Sequence, residues 1–315
     1  MDISEELNAT STTVEEVDPF LELAPALVQK RRSQGRIIFD RFIRNKAAIG
    51  GAIFLILLFV FCSLGPLFWQ VDPKQQNILS ISETLAPPSL AHPLGTDDVG
   101  RDTLARVMAG GRVSLSVGLT SMLMAIIFGI GVGAIAGYYG GVMDNVLMRA
   151  TDVVLAIPLY LLLFVLSASF TDGTPKSVVI LIAFFGWTYA ARLVRGEFLA
   201  LKEREYVLAS RTIGARHFRL MFRHMLPNAA GPIIVNATLL IGTNIILESV
   251  LSYFGFGIKP PDASWGSMIE VGQGLFDVDP WLVLVPGLLV ILTVLSVNLV
   301  GDGLRDALDP YMTER

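Results

Sequence analysis

The sequence predicts an all-α integral membrane protein with six transmembrane helices. Of its 315 residues, 53% are hydrophobic and only 17% are charged, whereas about a quarter of the residues of a soluble domain are charged. Several apolar runs are uncharged over 18 or more residues, and about 20 helical residues cross the hydrocarbon layer of a bilayer. The predicted spans are 47–69, 113–139, 152–170, 177–194, 229–257 and 281–300.

Composition divides the chain into four segments. Residues 1–35 are rich in acidic residues, Ser and Thr, and we expect a mostly disordered cytoplasmic tail. Residues 36–112 hold a basic juxtamembrane segment, the first transmembrane helix and an extracytoplasmic loop. Residues 113–303 hold the other five spans, and residues 304–315 form a cytoplasmic C-terminal tail. The first apolar run begins only near residue 47, so no cleavable signal peptide is expected. The single cysteine, Cys62, lies within that run and excludes an intrachain disulfide.

Lys and Arg are concentrated in two short segments. Seven lie at 30–46, before and at the start of the first span, and eight lie between Arg192 and Arg223. The connections at 171–176 and 258–280 carry one basic residue each. Because loops rich in Lys and Arg stay in the cytoplasm, six spans place both termini and the 192–223 segment on that side of the membrane.

The second span carries glycines at every fourth position: Gly129, Gly133, Gly137 and Gly141. Small residues at this spacing let helix backbones approach closely in lipid. They predict a packing face, either against a helix of the same chain or against another subunit. Pro158, Pro232 and Pro286 interrupt the apolar runs and predict kinks, either static or hinge-like.

A basic amphipathic segment, EYVLASRTIGARHFRLMFRHMLPN, lies between the fourth and fifth spans at 205–228. From Arg216 onwards, apolar residues recur with helical spacing at 218, 221, 222, 225 and 226, and three arginines share the opposite face. Gly214 separates this helix from a helical stretch over 197–212, and Pro227 ends it. We therefore predict two helices joined by a glycine turn.

Three functions suit such a segment. It can be a linker that lies on lipid headgroups, the usual role of a basic amphipathic helix beside a membrane. It can be a voltage sensor, but this requires arginines within an apolar span, and here three glutamates at 197–205 accompany them. It can also be a docking element that a soluble partner grips, since small residues at 209, 210 and 215 permit close contact.

The same segment resembles the EAA loop of binding-protein-dependent ABC importer permeases. That motif reads Glu-Ala-Ala, three residues, Gly, nine residues, Ile, one residue and Leu-Pro. The residues that keep this spacing are Ala209, Ser210, Gly214, Leu226 and Pro227. The departures are Leu208 at the Glu place, Ser210 at the second Ala place and His224 at the Ile place. Glu205 and Tyr206 resemble the variant found in the peptide/nickel subfamily.

Other stretches extend the resemblance to most of the chain, about 36–310. HPLGTDDVGRDTLARVMAGGRVSLSVGL at 92–119 is similar to the signature before the second span of the second permease subunit of dipeptide/oligopeptide/nickel importers. ESVLSYFGFGIKPPDASWGSMI and NLVGDGLRDALDP are similar to that subunit's fifth-span exit and C-terminal tail. The resemblance implies that 113–303 is a permease domain, in a bacterial or archaeal cell (inner) membrane.

The resemblance also implies a mechanism and a set of partners. A homologous permease pairs with this subunit, two ABC ATPase subunits dock beneath, and an extracytoplasmic solute-binding protein delivers a di- or oligopeptide. The ATPase-coupling residues it implies are Glu205, Tyr206, Ala209, Ser210, Gly214, Ala215, Arg216, Leu226 and Pro227. No GxxxxGK[ST] phosphate loop occurs in the sequence. We therefore expect no cofactor in this chain, ATP and Mg in the partner ATPases, and no nucleic-acid partner.

Other clusters of polar residues give weaker indications. His92, Asp97, Asp98 and Asp102 fit no calcium-loop spacing, and we expect no metal there. We expect instead that Thr96 caps a helix whose first turn carries Asp97 and Asp98. No set of Ser, Cys, His and Asp suggests catalysis, so no catalytic residue is expected.

Glu248 is the one ionisable residue well inside a predicted span, with Asn236 and Asn244 upstream on the same helix. Such residues are costly in lipid and face the protein interior, which makes all three candidates for the translocation path. A hydrogen-bonded brace between helices is an equally open alternative for Glu248.

Three other functions compete with a peptide-importer permease. The same family carries nickel chelates, glutathione or other small solutes, and its shared motifs do not separate these from peptides. A stand-alone secondary transporter would be favoured by inverted repeats or an intramembrane charge relay, and the sequence has neither. A membrane-embedded enzyme would need a catalytic constellation.

Overall fold

A computed structural model describes residues 34–75, 84–170 and 172–309. Most of the predicted tail at 1–35 and the last residues of the predicted tail at 304–315 lie outside these ranges. Within them the regular structure is helical. In chain order the helices are α1 Gln34–Arg44, α2 Lys46–Phe68, α3 Thr103–Tyr139, α4 Gly141–Ala156, α5 Leu159–Phe170, α6 Pro175–Lys202, α7 Glu205–Thr212, α8 His217–Arg219 with a π-helical continuation Leu220–Met225, α9 Ala230–Tyr253, α10 Trp265–Gln273 and α11 Trp281–Leu308.

Five of these helices are long and apolar enough to cross a bilayer, namely α2, α3, α6, α9 and α11. The predicted span at 152–170 is not one continuous helix. It falls on α4 and α5, which meet at a bend of 86° beside Pro158. Proline lacks the N–H that would continue the helix and its ring clashes with the preceding turn. The prediction of six spans holds if the bent pair crosses as one.

Several helix boundaries differ from the predicted spans. α3 begins at Thr103, ten residues before the predicted start, and α11 continues to Leu308, past the predicted domain boundary at 303. The boundary between 112 and 113 likewise falls inside α3. Pro232 lies in the first turn of α9, whereas Pro286 lies within α11.

The predicted cap before the second span is wrong. Asp102, not Thr96, is the N-cap of α3, and its carboxylate accepts the N–H of Ala105 at 2.7 Å. Asp97 is not in a helix. It accepts the N–H of Arg101 at 2.9 Å and the Arg101 guanidinium at 2.7 Å. Asp97 thereby forms a tight turn before the helix.

The glycine face of α3 packs against α6 of the same chain. A Cβ on Gly137 would lie 2.7 Å from the Cβ of Phe198, and one on Gly129 would lie 3.0 Å from the backbone of Ala191. Gly133 makes an equally close approach. Packing within the chain is therefore confirmed for these three glycines. Gly141 lies beyond α3, where a Cβ would meet nothing.

Candidate functional site

The segment at 203–227, here called the 203–227 loop, folds into two helices joined by a glycine turn. Gly214 has φ +84°, a conformation that only glycine adopts without steric cost, and a Cβ there would meet no other atom. Its conformation, not the lack of space, therefore requires glycine, and the predicted turn is confirmed. The predicted helical stretch 197–212 is interrupted between Lys202 and Glu205, where α6 ends and α7 begins.

The second helix of the loop departs from the predicted amphipathic face. Met221 and Met225 of the predicted apolar face are buried, but Phe218 and Phe222 of the same face are 72% and 41% exposed. The reason is the π-helical geometry, in which the N–H of Leu226 bonds the carbonyl of Met221 five residues earlier. One extra residue per turn rotates the side chains relative to an α-helix.

An apolar cluster fixes the loop to the transmembrane helices. Val207 of α7 and three buried residues of the second helix (Leu220, Met221 and Met225) pack together. They meet α3 and α6 through Ala134, Tyr138, Val194 and Phe198. The loop is therefore a folded part of the membrane domain, with one side buried against α3 and α6.

The other side of the loop is an exposed surface of mixed apolar and basic character. Of the predicted coupling residues, six are exposed and three are partly buried: Glu205, Tyr206, Ala209, Gly214, Arg216 and Pro227 in the first group, and Ser210, Ala215 and Leu226 in the second. The structure adds Leu208, Ile213, Phe218 and Phe222, which are large exposed apolar residues. An exposed apolar patch of this kind marks an interaction surface.

A hydrogen bond joins the loop to the end of α3. The hydroxyl of Tyr138 lies 2.7 Å from Nδ1 of His217, the first residue of α8. The two rings meet edge to face with centroids 5.6 Å apart. Sequence reasoning missed this contact because its partners are 79 residues apart and a single sequence does not show which distant residues meet.

Glu248 is completely enclosed by the chain itself. Its carboxylate accepts the hydroxyl of Ser114 on α3 at 2.8 Å and that of Ser252 at 2.7 Å. Ser114 in turn accepts the N–H of Trp265 at 3.2 Å, and Ser252 accepts the N–H of Ile258 at 3.1 Å. The carboxylate thus ties together α3, α9 and the start of α10. This geometry favours the brace alternative for Glu248.

Two glycines make room for this polar network. A Cβ on Gly266 would lie 2.6 Å from Cα of Ser249, and a Cβ on Gly257 would overlap Ser252. Both glycines therefore let the segment after α9 and the start of α10 lie directly on α9. The close approach explains Gly257 and Gly266 in the stretch that follows Glu248, whereas Gly255 has open space and φ +77°.

Asn244 and Asn236 lie along α9 beside two cavities. Asn244 donates to the Ser121 hydroxyl at 2.8 Å and lines a cavity of about 270 Å³ between the bent α4–α5 pair, α6 and α9. Asn236 lines a cavity of about 490 Å³ nearer the 203–227 loop, between α6, α9 and α11. Within the described part of the chain, the side-chain oxygens of both asparagines are buried without a hydrogen-bond donor. The three path candidates therefore do not line one common cavity.

The polar residues before α3 form ion pairs. Arg101 and Arg106 contact the Asp97 carboxylate at 2.7 and 3.4 Å. His92 lies 2.8 Å from Asp102, which also accepts the indole N–H of Trp69 at 3.2 Å. Among residues 34–75, 84–170 and 172–309, no group of three or more His, Cys, Asp and Glu side chains is arranged to hold a metal. The aspartates here organise the entry into α3.

Comparisons with known proteins agree with this architecture. Residues 129–314 match the family described as "Binding-protein-dependent transport system inner membrane component", and residues 33–88 match the "N-terminal TM domain of oligopeptide transport permease C". The oligopeptide transport system permease protein OppC of Bacillus subtilis is 40% identical over 86% of this chain and 88% of its own length. The dipeptide transport system permease protein DppC of Haemophilus influenzae is 38% identical over 87% of this chain and 93% of its own length.

The solved structures add evidence for the fold. An inward-facing form of the MetNI methionine ABC transporter aligns with a TM-score of 0.52 and 18% identity, over 64% of this chain and 96% of that one. At this identity the likeness concerns the fold alone. The family match covers more than half of the chain, and the relatives are well above 30% identical over most of their length. The chain therefore belongs to the family of binding-protein-dependent transport system inner membrane components, and it is a multi-pass membrane permease subunit.

Proposed function

We propose that this chain is one of two membrane subunits of an ATP-driven importer for di- and oligopeptides. The observation that carries the proposal is the 203–227 loop. One side of it packs on α3 and α6, and the other presents exposed apolar and basic residues. A membrane subunit that must respond to a soluble ATPase needs such an element. Peptides are the favoured solute because the similar permeases of Bacillus subtilis and Haemophilus influenzae are named for oligopeptide and dipeptide transport.

The loop lies in the cytoplasm in this proposal, together with both termini. The distribution of Lys and Arg supports this orientation, since the loop and the first-span flank are basic and the connections at 171–176 and 258–280 are not. Two ATPase subunits bind ATP and Mg, and one of them receives the exposed side of the loop. An extracytoplasmic binding protein delivers the peptide at the opposite end. This chain itself binds no nucleotide and performs no covalent chemistry.

In this proposal, the part of the solute path that this subunit forms runs along the contact between α6 and α9. Supporting it are the two cavities at successive positions along that contact, of about 270 and 490 Å³. Each is lined by an asparagine whose oxygen is a buried acceptor without a donor among the described residues. Peptide N–H groups are donors that suit Asn244 and Asn236. A homologous permease completes the other wall of the path.

Reconstitution tests the proposed function. The chain is co-expressed with the second permease, the ATPases and the binding protein expected beside it in the genome, and the complex is placed in liposomes. We expect uptake of a radiolabelled tripeptide that requires ATP, Mg and the binding protein, and competition by other peptides but not by a nickel chelate or glutathione. Uptake of a nickel chelate or glutathione, without uptake of the tripeptide, would show that the importer carries a different solute by the same mechanism. Uptake driven by a proton gradient without ATP would contradict the proposal.

A further inference from the structure

Tyr138 lies in the last turn of α3, and its side chain is almost completely buried. Its hydroxyl and Nδ1 of His217 share a hydrogen bond of 2.7 Å. Tyr139 flanks the same imidazole, with ring centroids 6.2 Å apart. The start of α8 is thus held against the end of a transmembrane helix by a directional contact.

The other contacts between the 203–227 loop and the helices differ in kind. Val207, Leu220, Met221 and Met225 pack through apolar side chains, and apolar contact has no preferred direction. Such surfaces can slide over one another, whereas a hydrogen bond weakens steeply when its geometry changes. Of the hydrogen bonds between described residues, the Tyr138–His217 bond is the one that joins a side chain of the loop to a side chain of a spanning helix.

We propose that Tyr138 is a positioning residue that transmits movement of the loop to α3 during each ATPase cycle. The proposal rests on the proposed function, because it assigns one contact within the coupling of ATP hydrolysis to transport. This role does not require Tyr138 to touch solute or nucleotide. It acts by keeping α8 and the end of α3 in a fixed register while the apolar cluster around them shifts.

The packing of α3 indicates which parts of the subunit move together with the loop. Gly129, Gly133 and Gly137 bring α3 so close to α6 that the two helices must shift together. The other half of α3 carries Ser114, which bonds the buried Glu248 carboxylate. The 24 residue steps from Ser114 to Tyr138 correspond to about 36 Å of helix. α3 therefore connects the loop to the network around Glu248 at the far end of the subunit.

The chain offers a matched pair of variants for the test. Tyr138→Phe removes one hydroxyl and keeps the ring. Tyr139→Phe is the control, because Tyr139 is 55% exposed and its hydroxyl makes no hydrogen bond to the described residues. Each variant is purified as the full complex with the second permease and both ATPases and reconstituted with the binding protein. Three quantities are measured: ATPase subunits retained, ATP hydrolysis with and without tripeptide-loaded binding protein, and tripeptide uptake per ATP.

We expect Tyr138→Phe to retain the ATPases and the unstimulated hydrolysis rate. Tripeptide uptake per ATP should fall roughly five-fold, the factor that corresponds to losing one hydrogen bond of about 1 kcal/mol. Tyr139→Phe should match the wild type. His217→Ala should reproduce the loss, and the Tyr138→Phe/His217→Ala double variant should be no worse than either single variant. His217→Asn, which keeps a polar atom near the position of Nδ1, should recover much of the coupling.

Several results would overturn the assignment. Equal uptake per ATP in Tyr138→Phe and Tyr139→Phe would show that the hydroxyl has no part in coupling. Loss of the ATPases from the Tyr138→Phe complex, or additive losses in the double variant, would mean that the bond only stabilises the loop. A wild-type complex without ATP-dependent uptake would instead refute the proposed function, which separates the two failures.

Discussion

The hydroxyl of Ser114 on α3 donates to the carboxylate of Glu248 on α9 across 2.8 Å, in a site closed to solvent. Ser252 donates to the same carboxylate at 2.7 Å. Both hydroxyls also accept a backbone N–H, from Trp265 and from Ile258. A single acidic side chain thereby connects two transmembrane helices with the segment that enters α10. Relative movement of α3 and α9 at this level of the subunit must stretch or break these bonds.

Glu248→Leu should reduce peptide uptake while the subunits still assemble. Leucine is of similar size but accepts no hydrogen bond, so two buried hydroxyls lose their acceptor at a cost of about 1–3 kcal/mol each. Glu248→Gln keeps a side-chain oxygen and should lose markedly less. The measurements are the thermal midpoint of the purified complex and tripeptide uptake in liposomes. Wild-type uptake and stability in Glu248→Leu would show that transport and folding do not need the hydrogen-bond network around Glu248.

Gly133→Val should destabilise the complex. Its Cβ would overlap the backbone of α6, and overpacking of this kind costs about 1–3 kcal/mol. Gly131→Val is the matched control, because Gly131 is on the same helix two residues away and a Cβ there meets nothing. Thermal unfolding of both variants in detergent checks the difference. Equal midpoints would show that the glycine face of α3 is not tightly packed.

Tyr206→Cys in a Cys62→Ser background should react with a membrane-impermeant maleimide only after the cells are opened. Tyr206 is exposed on α7, so its side chain is free to react once the reagent reaches that side. Lys259→Cys, exposed in the connection after α9, should be labelled in intact spheroplasts. Labelling of position 206 from outside intact cells would show that the loop faces outwards, which contradicts the proposed orientation.

The sequence was sufficient to predict the class of fold and the turn at Gly214. Only helices and closed barrels satisfy the backbone within a bilayer, so long apolar runs specify helices with little ambiguity. The glycine turn followed from the helical patterns on either side of Gly214, and φ +84° at Gly214 confirms it. Both inferences needed only local residues.

Where helices begin and bend was harder to predict, because contacts distant in sequence decide it. Arg106 lies within α3 although it is charged, since Asp97 pairs with it at 3.4 Å. A hydropathy criterion starts the span only after such charged residues, and here it gave 113 in place of 103. The sequence predicted a kink at Pro158, but it did not predict that the helices meet at 86°. The exposure of Phe218 and Phe222 depends on a π-helical turn, which apolar periodicity does not reveal.

The candidate site was predicted only in part. The sequence pointed to the 203–227 loop but not to the hydrogen bond between Tyr138 and His217, because one sequence does not indicate which distant residues meet. It also placed Glu248, Asn244 and Asn236 together as path candidates. In the structure Glu248 is enclosed and bonded to two serines, and the two asparagines line different cavities.

The central claim is that the 203–227 loop couples this subunit to an ATPase, and Gly214 gives the most direct measurement. Valine at φ +84° costs roughly 1–2 kcal/mol and should re-angle α7 relative to α8. Gly196→Val is the control, since Gly196 lies within α6 and a Cβ there also meets nothing. The two variants therefore differ in backbone conformation and not in available space.

The measurement is the amount of ATPase that co-purifies with each variant complex, taken beside its peptide-stimulated ATP hydrolysis. We predict that Gly214→Val still binds the peptide-loaded binding protein but loses ATPase subunits, stimulation and uptake, while Gly196→Val retains all of them. Full ATPase retention with normal stimulation in Gly214→Val would contradict the account and leave the loop as a linker at the membrane surface.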